Sequence, residues 1–169
     1  VGAVTARVRR SAAPRAVSSA YVHIPFCRQQ CRYCDFPIDV AGARFSERSR
    51  RYVDCIIKEI QVGGAGEWVP FECSPLRTLY FGGGTPSLLP LEDFRRLFEA
   101  LAQRFGFAPQ CEITVEMDPG TFSGEKAAAL AELGVTRASV GVQSLDDEQL
   151  QRCGRKHTAQ EAKEAIRAC

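Results

Sequence analysis

From residue 20 onward, short runs of β-branched and aromatic residues alternate with longer stretches whose apolar positions recur every three or four residues. That alternation predicts repeated βα units and a parallel sheet. The first strand is read at 20–24. After a long loop, a helix over 46–62 places Val53, Ile56, Ile57 and Ile60 on one face, and Gly63 and Gly64 stop it. A looser stretch through Trp68 leads to a second strand at 76–81. A helix opening at Leu91 then carries Phe94, Leu97, Phe98, Leu101 and Phe105 on its apolar stripe, with Gly106 as its cap. The third strand is 112–117, and its helix opens on Ser123, turns Leu130 and Leu133 inward and closes at Gly134. The fourth strand is 137–142, followed by a helical turn over 144–153. Thr158 and Glu161 then form a capping box for a last helix.

The predicted class is therefore α/β with about four parallel βα units, arranged as an open wound sheet or as part of a (β/α) barrel. In both architectures chemistry gathers at the C-terminal ends of the strands. The unusual residues stand there: Cys27, Cys31 and Cys34 after the first strand, Gly82 to Pro86 after the second, Glu116 to Pro119 after the third and Gln143 after the fourth. Four such groups on one rim imply one site.

Composition narrows the function. With 169 residues, 45% hydrophobic and 25% charged, the chain can bury one core. No apolar run reaches the roughly 18 to 20 residues of a membrane span. Net charge is only +2, and no acid precedes Asp35, whereas Arg7, Arg9, Arg10, Arg15, Arg28 and Arg32 do. Basic residues confined to one end argue against a nucleic-acid-binding face. Residues 1–19, rich in Arg, Ser and Ala and free of acids, read as a disordered segment with the composition of an organelle transit peptide, which predicts a chloroplast or mitochondrial address. Without that signal the expectation is cytoplasmic. Position 1 is Val, so a processed form or a fragment is expected.

Eight cysteines with ample Leu, Ile, Val and Phe, and no secretory apolar segment, point to thiols in a reducing compartment rather than to a disulfide scaffold. Cys27, Cys31 and Cys34 fall in a C-x3-C-x2-C pattern that can wrap one metal centre. Three thiolates on a [4Fe-4S] cluster leave one iron without a protein ligand. Zinc asks for four donors, for which His23 is the nearby candidate. The remaining cysteines, Cys55, Cys73, Cys111, Cys153 and Cys169, lack metal-like spacing and are expected to pack in the core. Gly82-Gly83-Gly84 directly after a strand allows close backbone approach and exposes N–H and C=O groups to a ligand. The motif lacks the Lys-Ser/Thr of a phosphate loop.

The run Tyr21-x-His23-Ile24-Pro25-Phe26-Cys27-x3-Cys31-x-Tyr33-Cys34 resembles the radical S-adenosylmethionine (SAM) superfamily. Together with Gly82-Gly83-Gly84-Thr85-Pro86, Glu116-x-Asp118-Pro119 and Gly141-Val142-Gln143-Ser144, it resembles the HemN/HemW group, comprising oxygen-independent coproporphyrinogen III dehydrogenases and related heme chaperones. The likeness covers about residues 20–169. It implies a partial parallel barrel, a [4Fe-4S] cluster on Cys27, Cys31 and Cys34, and SAM bound at the open iron and cleaved by one electron to a 5'-deoxyadenosyl radical. It further implies Tyr21, Tyr33, Gly83, Gly84, Thr85, Glu116, Gln143 and Arg155 as the residues that hold SAM. A bound SAM would partner Glu116, and Arg155 would take a carboxylate through paired donors. Asp118 is expected to shape its turn, and His157 to face solvent.

Coproporphyrinogen dehydrogenases carry a further cysteine two residues after the third ligand, where this chain has Phe36. The run resembles instead the heme-chaperone branch, its plant and algal members in particular. The resemblance then implies heme as a further ligand, an electron donor such as ferredoxin or flavodoxin, and a heme-accepting apoprotein. The alternatives are porphyrinogen dehydrogenation and, from another class, an iron-sulfur electron carrier or zinc-binding module. The superfamily barrel continues past four units, so residues 20–169 are expected to be the N-terminal part of the core domain.

Overall fold

The computed structural model describes residues 15–62 and 71–169. Among them, four strands form one wholly parallel sheet: β1 (Arg15–Ile24), β4 (Phe71–Gly83), β5 (Phe107–Met117) and β6 (Arg137–Val140), hydrogen-bonded in that order. A separate two-stranded parallel pair, β2 (Phe26–Cys27) and β3 (Asp39–Val40), brackets the cysteine loop. Helix α1 (Phe45–Val62) connects to β4, α2 (Leu91–Arg104) links β4 to β5, and α3 (Gly124–Glu132) links β5 to β6. The short α4 (Asp147–Arg152) and then α5 (Ala159–Ala168) follow. Strand order tracks chain order without reversal, so right-handed crossovers place successive helices on one face. That is the winding of a barrel segment, not of a doubly wound sheet.

The core lies between that helical layer and the sheet. Val22, Ile24, Leu79, Phe81, Ile113 and Val115 come from the strands, and Val53, Phe94, Leu97, Phe98, Leu101 and Leu130 from the helices. Phe81 anchors it, edge-on to Phe94 with ring centroids 5.4 Å apart and stacked on Phe98 at 5.5 Å. The stripes read from the periodicity pack as expected, with Ile56, Ile57, Ile60, Phe105 and Leu133 half-buried against the cluster. Ser123 accepts from the Lys126 N–H, and the Thr158–Glu161 capping box is formed in both directions.

The other face of the sheet is polar. Register places Tyr21, Tyr80, Thr114 and Arg137 in one row across β1, β4, β5 and β6. A parallel sheet normally hides both faces. Here Tyr21 is 58% exposed, whereas Thr114 in the same row is buried, so this face is open on the β1 side.

Several boundaries differ from the pattern. β1 begins at Arg15, inside the segment read as disordered, while residues 1–14 lie outside the described residues, as do Gly63, Gly64 and Trp68. β4 and β5 start five residues earlier than expected, because register shifts between Leu76 and Thr78 and opposite Val17/Ser19 interrupt the alternation. Gln110, at φ 62, follows Pro109 in the same region. β6 ends at Val140 rather than 142. Helix α4 starts at Asp147, since the Asp146 side chain accepts from the Gln149 N–H and sets the cap there.

Candidate active site

The strand C-termini converge on a cleft of about 450 Å³. Its lining includes Cys27, Cys31, Tyr33, Cys34, Gly83, Gly84, Thr85, Glu116, Gln143 and Arg155. Ten residues singled out in the sequence thus share one cavity. Tyr21 does not line it: its ring stacks on Tyr80 at 5.9 Å, and its hydroxyl lies 3.2 Å from His23 Nδ1, below the rim.

The cysteine loop is tied down at several points. Cys27 ends β2, whose pairing with β3 is extended by hydrogen bonds from Asp39 N to the Pro25 carbonyl and from Ala41 N to the Cys27 carbonyl. Cys34 N donates to the Cys31 carbonyl at 3.1 Å, closing a turn. Arg28 donates to the Gly120 carbonyl, and Gln29 to that of Gly154. All eight cysteines are free thiols. Burial pushes the Cys27 thiol up and the Thr85 hydroxyl, 3.5 Å away, pulls it down. Charge on Cys34 and Cys31 raises it further and Arg155 lowers it. Three thiolates on one loop repel each other, and a cationic centre is what would offset that.

The glycine loop corrects the expectation that its N–H groups face a ligand. Gly83 N donates to Glu116 Oε2 at 3.0 Å, and Gly84 N and Thr85 N donate to the carbonyls of Ile24 and Phe26, each at 2.7 Å. These three N–H groups are therefore used within the protein, which argues against a phosphate cradle. The lack of side chains is required: a Cβ on Gly84 would lie 2.7 Å from the Phe26 carbonyl oxygen and 2.9 Å from Cys27 Sγ.

Glu116 is satisfied from within the protein. The Tyr80 hydroxyl donates to its Oε1 at 2.8 Å while Gly83 N serves Oε2. That bond, then burial, pushes the Tyr80 phenol up. Sequence reading missed Tyr80, whose signal is a polar tip on the off-core parity of an apolar strand. Gln143, at φ 62, is exposed at the rim after β6. Arg155 takes a protein carboxylate, that of Asp118, whose own carbonyl accepts from Thr121 in the expected turn. His157 is a correction: it is buried, with Nε2 3.1 Å from the Val142 carbonyl. Of the five other cysteines only Cys111 is buried. Cys55, Cys73 and Cys169 are exposed and Cys153 half-buried, because they fall on outer faces of helices or beyond the sheet's covered half.

Residues 21–169 match the Radical SAM superfamily. The chain belongs to that superfamily. The heme chaperone HemW of Synechocystis sp. is 42% identical over 154 residues, which cover 89% of this chain and 36% of that protein. The oxygen-independent coproporphyrinogen III oxidase of Paracoccus denitrificans is 34% identical over 154 residues, 89% of this chain and 32% of that protein. The solved structure of coproporphyrinogen III oxidase (HemN) from Escherichia coli superposes with a TM-score of 0.78 at 26% identity, covering 94% of this chain and 35% of that one. The chain thus spans about a third of the length of these relatives.

Membership in the radical SAM superfamily implies a [4Fe-4S] cluster and SAM. The donor types fit: three half-buried thiols on a cleft wall, a glycine cradle too tight for a Cβ beside Cys27, and the Glu116 carboxylate lining the same cleft, while among the described residues no three His, Cys, Asp or Glu side chains close around a single metal-ion position. The zinc alternative requires His23 as fourth donor, but its ring packs against Tyr21 and against the position a Gly83 Cβ would take.

Proposed function

We propose that this chain is the cluster- and SAM-binding portion of a radical SAM protein of the HemW type, which binds heme for delivery to an apoprotein. The observation that carries the reading is Phe36 on the cleft wall, where a dehydrogenase would present a fourth cysteine beside Cys34. The 42% identity to a heme chaperone supports it. When bound, the cluster and SAM together supply one-electron cleavage of a sulfonium C–S bond.

The chain's own residues then have distinct tasks. Cys27, Cys31 and Cys34 each offer one thiolate. Thr85 donates towards Cys27, steadying its negative charge. Glu116, fixed by Tyr80 and Gly83, presents its remaining lone pairs to the cleft as acceptors for the SAM ammonium. Tyr33 and Gln143 border the same space. Tyr33's phenol is pushed up chiefly by burial, so its hydroxyl stays protonated at neutral pH. Phe36, 63% exposed, extends an apolar surface outward from the cleft. A low-potential carrier such as a ferredoxin or flavodoxin would deliver the electron. No described helix is long and apolar enough to cross a membrane, and an organelle address rests on the composition of residues 1–19.

The test uses the full-length protein, reconstituted anaerobically and reduced with dithionite. With SAM added, methionine or 5'-deoxyadenosine should form. Heme titration should give a stable spectrum, and coproporphyrinogen should not be turned over. Turnover of coproporphyrinogen would assign the chain to the dehydrogenases, and absence of any SAM-dependent product would leave an electron carrier.

A further inference from the structure

His157 stands in the short link between α4 and α5, and both ends of that link are fixed. Before it, α4 closes in a Schellman turn: Gly154, at φ 77, donates to the Gln151 carbonyl at 3.0 Å, and Arg155 N donates to that of Leu150 at 2.8 Å. After it, Thr158 opens the capping box of α5, and Ala159 N donates to Asp147 Oδ1 at 2.6 Å. The ring is only 7% exposed. Burial holds the imidazole below its ordinary value, so at neutral pH it is uncharged and carries a single N–H. Nε2 lies 3.1 Å from the Val142 carbonyl oxygen, which can only accept, so Nε2 is the nitrogen that donates. The same carbonyl takes a second bond. Ser144 N donates to it at 2.8 Å across Gln143, closing an i to i+2 turn. Gln143 has φ 62, near the roughly +75° of the γ-turn form that is rare and strained. Such a conformation persists only where the surroundings impose it. The imidazole, reaching in from another element, supplies that constraint, and Gln143 lines the cleft.

We propose that His157 is a positioning residue for the cleft: its Nε2–H, anchored on the Val142 carbonyl, holds the strained turn that presents Gln143 to SAM. The assignment rests on the reading of the cleft as the SAM site with Gln143 on its rim. Without the donor, Gln143 relaxes toward the negative φ that a residue with a Cβ prefers, and its amide leaves the place where it meets the ligand. The ring acts as an N–H at a fixed point, not as a base. Glutamine can therefore replace it, because its own Nε2 lies the same number of bonds from Cα. Loss of the ring matters to SAM only while residue 143 has a side chain to place. His157 also borders the cleft, so direct contact with the ligand is the alternative that the experiment separates.

The experiment measures equilibrium binding of SAM to the full-length, cluster-loaded protein, anaerobically and without reductant, by isothermal titration calorimetry. His157→Met, which fills a similar volume without an N–H, should weaken binding about tenfold, with iron and sulfide content at the wild-type level. His157→Gln should bind close to wild type. Gln143→Ala should weaken binding by itself, and adding His157→Met to it should cost nothing more. Unchanged binding in His157→Met or in Gln143→Ala would overturn the proposal. Additive losses in the double variant would overturn it too, since the ring would then touch the ligand or act by another route. Equal losses in His157→Met and His157→Gln would do the same, because the shape of the ring and not its N–H would be what counts. A His157→Met protein that takes up no cluster would make the ring a support of the fold itself and also end the proposal. Wild type that takes up no cluster, or takes one up and binds no SAM, would instead sink the reading of the cleft, and no variant is needed to see it.

Discussion

The ammonium of Lys126, near the start of α3, lies 2.6 Å from the backbone carbonyl of Ser87, and it reaches the Leu89 carbonyl at the same distance. The first carbonyl lies within the 3-10 turn Pro86–Leu88 that follows the glycine loop, and the second belongs to its cap, Leu89. The same Ser87 also meets the neighbouring strand end, its hydroxyl accepting from Asp118 N at 3.1 Å. Lys126 therefore braces the loop after β4 from the far side of the sheet edge. Replacing it with Met should leave two carbonyls without their donor and cost about 1–3 kcal/mol, read as a lower denaturation midpoint in urea. An unchanged midpoint would show that water replaces the ammonium without loss.

The first and last glycines of the loop, Gly82 and Gly84, should respond differently to alanine. At Gly84 the added Cβ meets backbone atoms of Pro25 and Phe26 at 2.9 and 2.7 Å, which cannot yield without moving β2 and with it Cys27. At Gly82 the nearest atoms belong to the rings of Tyr80 and Tyr21, at 2.7 and 3.0 Å, and rings can turn aside. Gly84→Ala should lose about 1–3 kcal/mol and bind less iron per chain after reconstitution. Gly82→Ala should retain iron binding, with changed tyrosine fluorescence. Equal iron content in the two variants would contradict this account of the cradle.

His157 predicts a pH effect with a definite sign. Burial holds its imidazole below the ordinary value of 6.5, with Arg155 adding to the depression, while the Val142 carbonyl and Glu161 oppose it. The unfolded chain therefore takes up a proton at a higher pH than the folded one. The stability that the neutral ring contributes is complete above about pH 6.5 and is lost as pH falls from there through the folded value, below which it changes no further. His157→Gln should flatten that part of the stability curve relative to wild type. Urea titrations at stepped pH from about 7.5 to about 5.5 (roughly one unit either side of the free imidazole value) would show parallel curves if the ring plays no part.

Arg96 joins α1 to α2 through Asp54 while also holding Asp93, which is buried within its own helix. The Arg96 hydrogen bond keeps the Asp54 carboxyl below its usual 3.8, and Arg96's charge and those of Arg50 and Lys58 add to it. The stabilisation is present above the unfolded value and disappears as pH falls through the folded one. Arg96→Met should lower stability at neutral pH and narrow the difference from wild type in acid. A gap that stays constant down to pH 2 (about two units below the free carboxyl value) would mean that packing, not charge, is what the substitution removed.

How far the chain could be read without coordinates depended on whether a feature was local. The helix stripes, the Ser123 and Thr158 caps and the C-x3-C-x2-C loop are written within a few neighbouring residues, and their period or spacing identifies them. Placing all these groups on one rim needed only the rule that parallel strands send their C-termini to the same side. The pairing of Arg155 with Asp118 could not be read, because nothing within either segment marks the other. His157 looked exposed since a lone polar residue before a helix usually is, yet the Val142 carbonyl made its burial tolerable. The N-terminal halves of β4 and β5 escaped because Pro75 and Pro109 with Gln110 break the alternation that signals a strand. Exposure of Cys55, Cys73 and Cys169 was equally hidden, since residue type says less about burial than the face on which it falls.

Because the sheet winds in a single direction, a further parallel strand laid against β6 would bring its following loop to the rim already occupied by the three sulfurs. New chemistry can therefore be acquired by exchanging peripheral loops while the reductive machinery stays as it is.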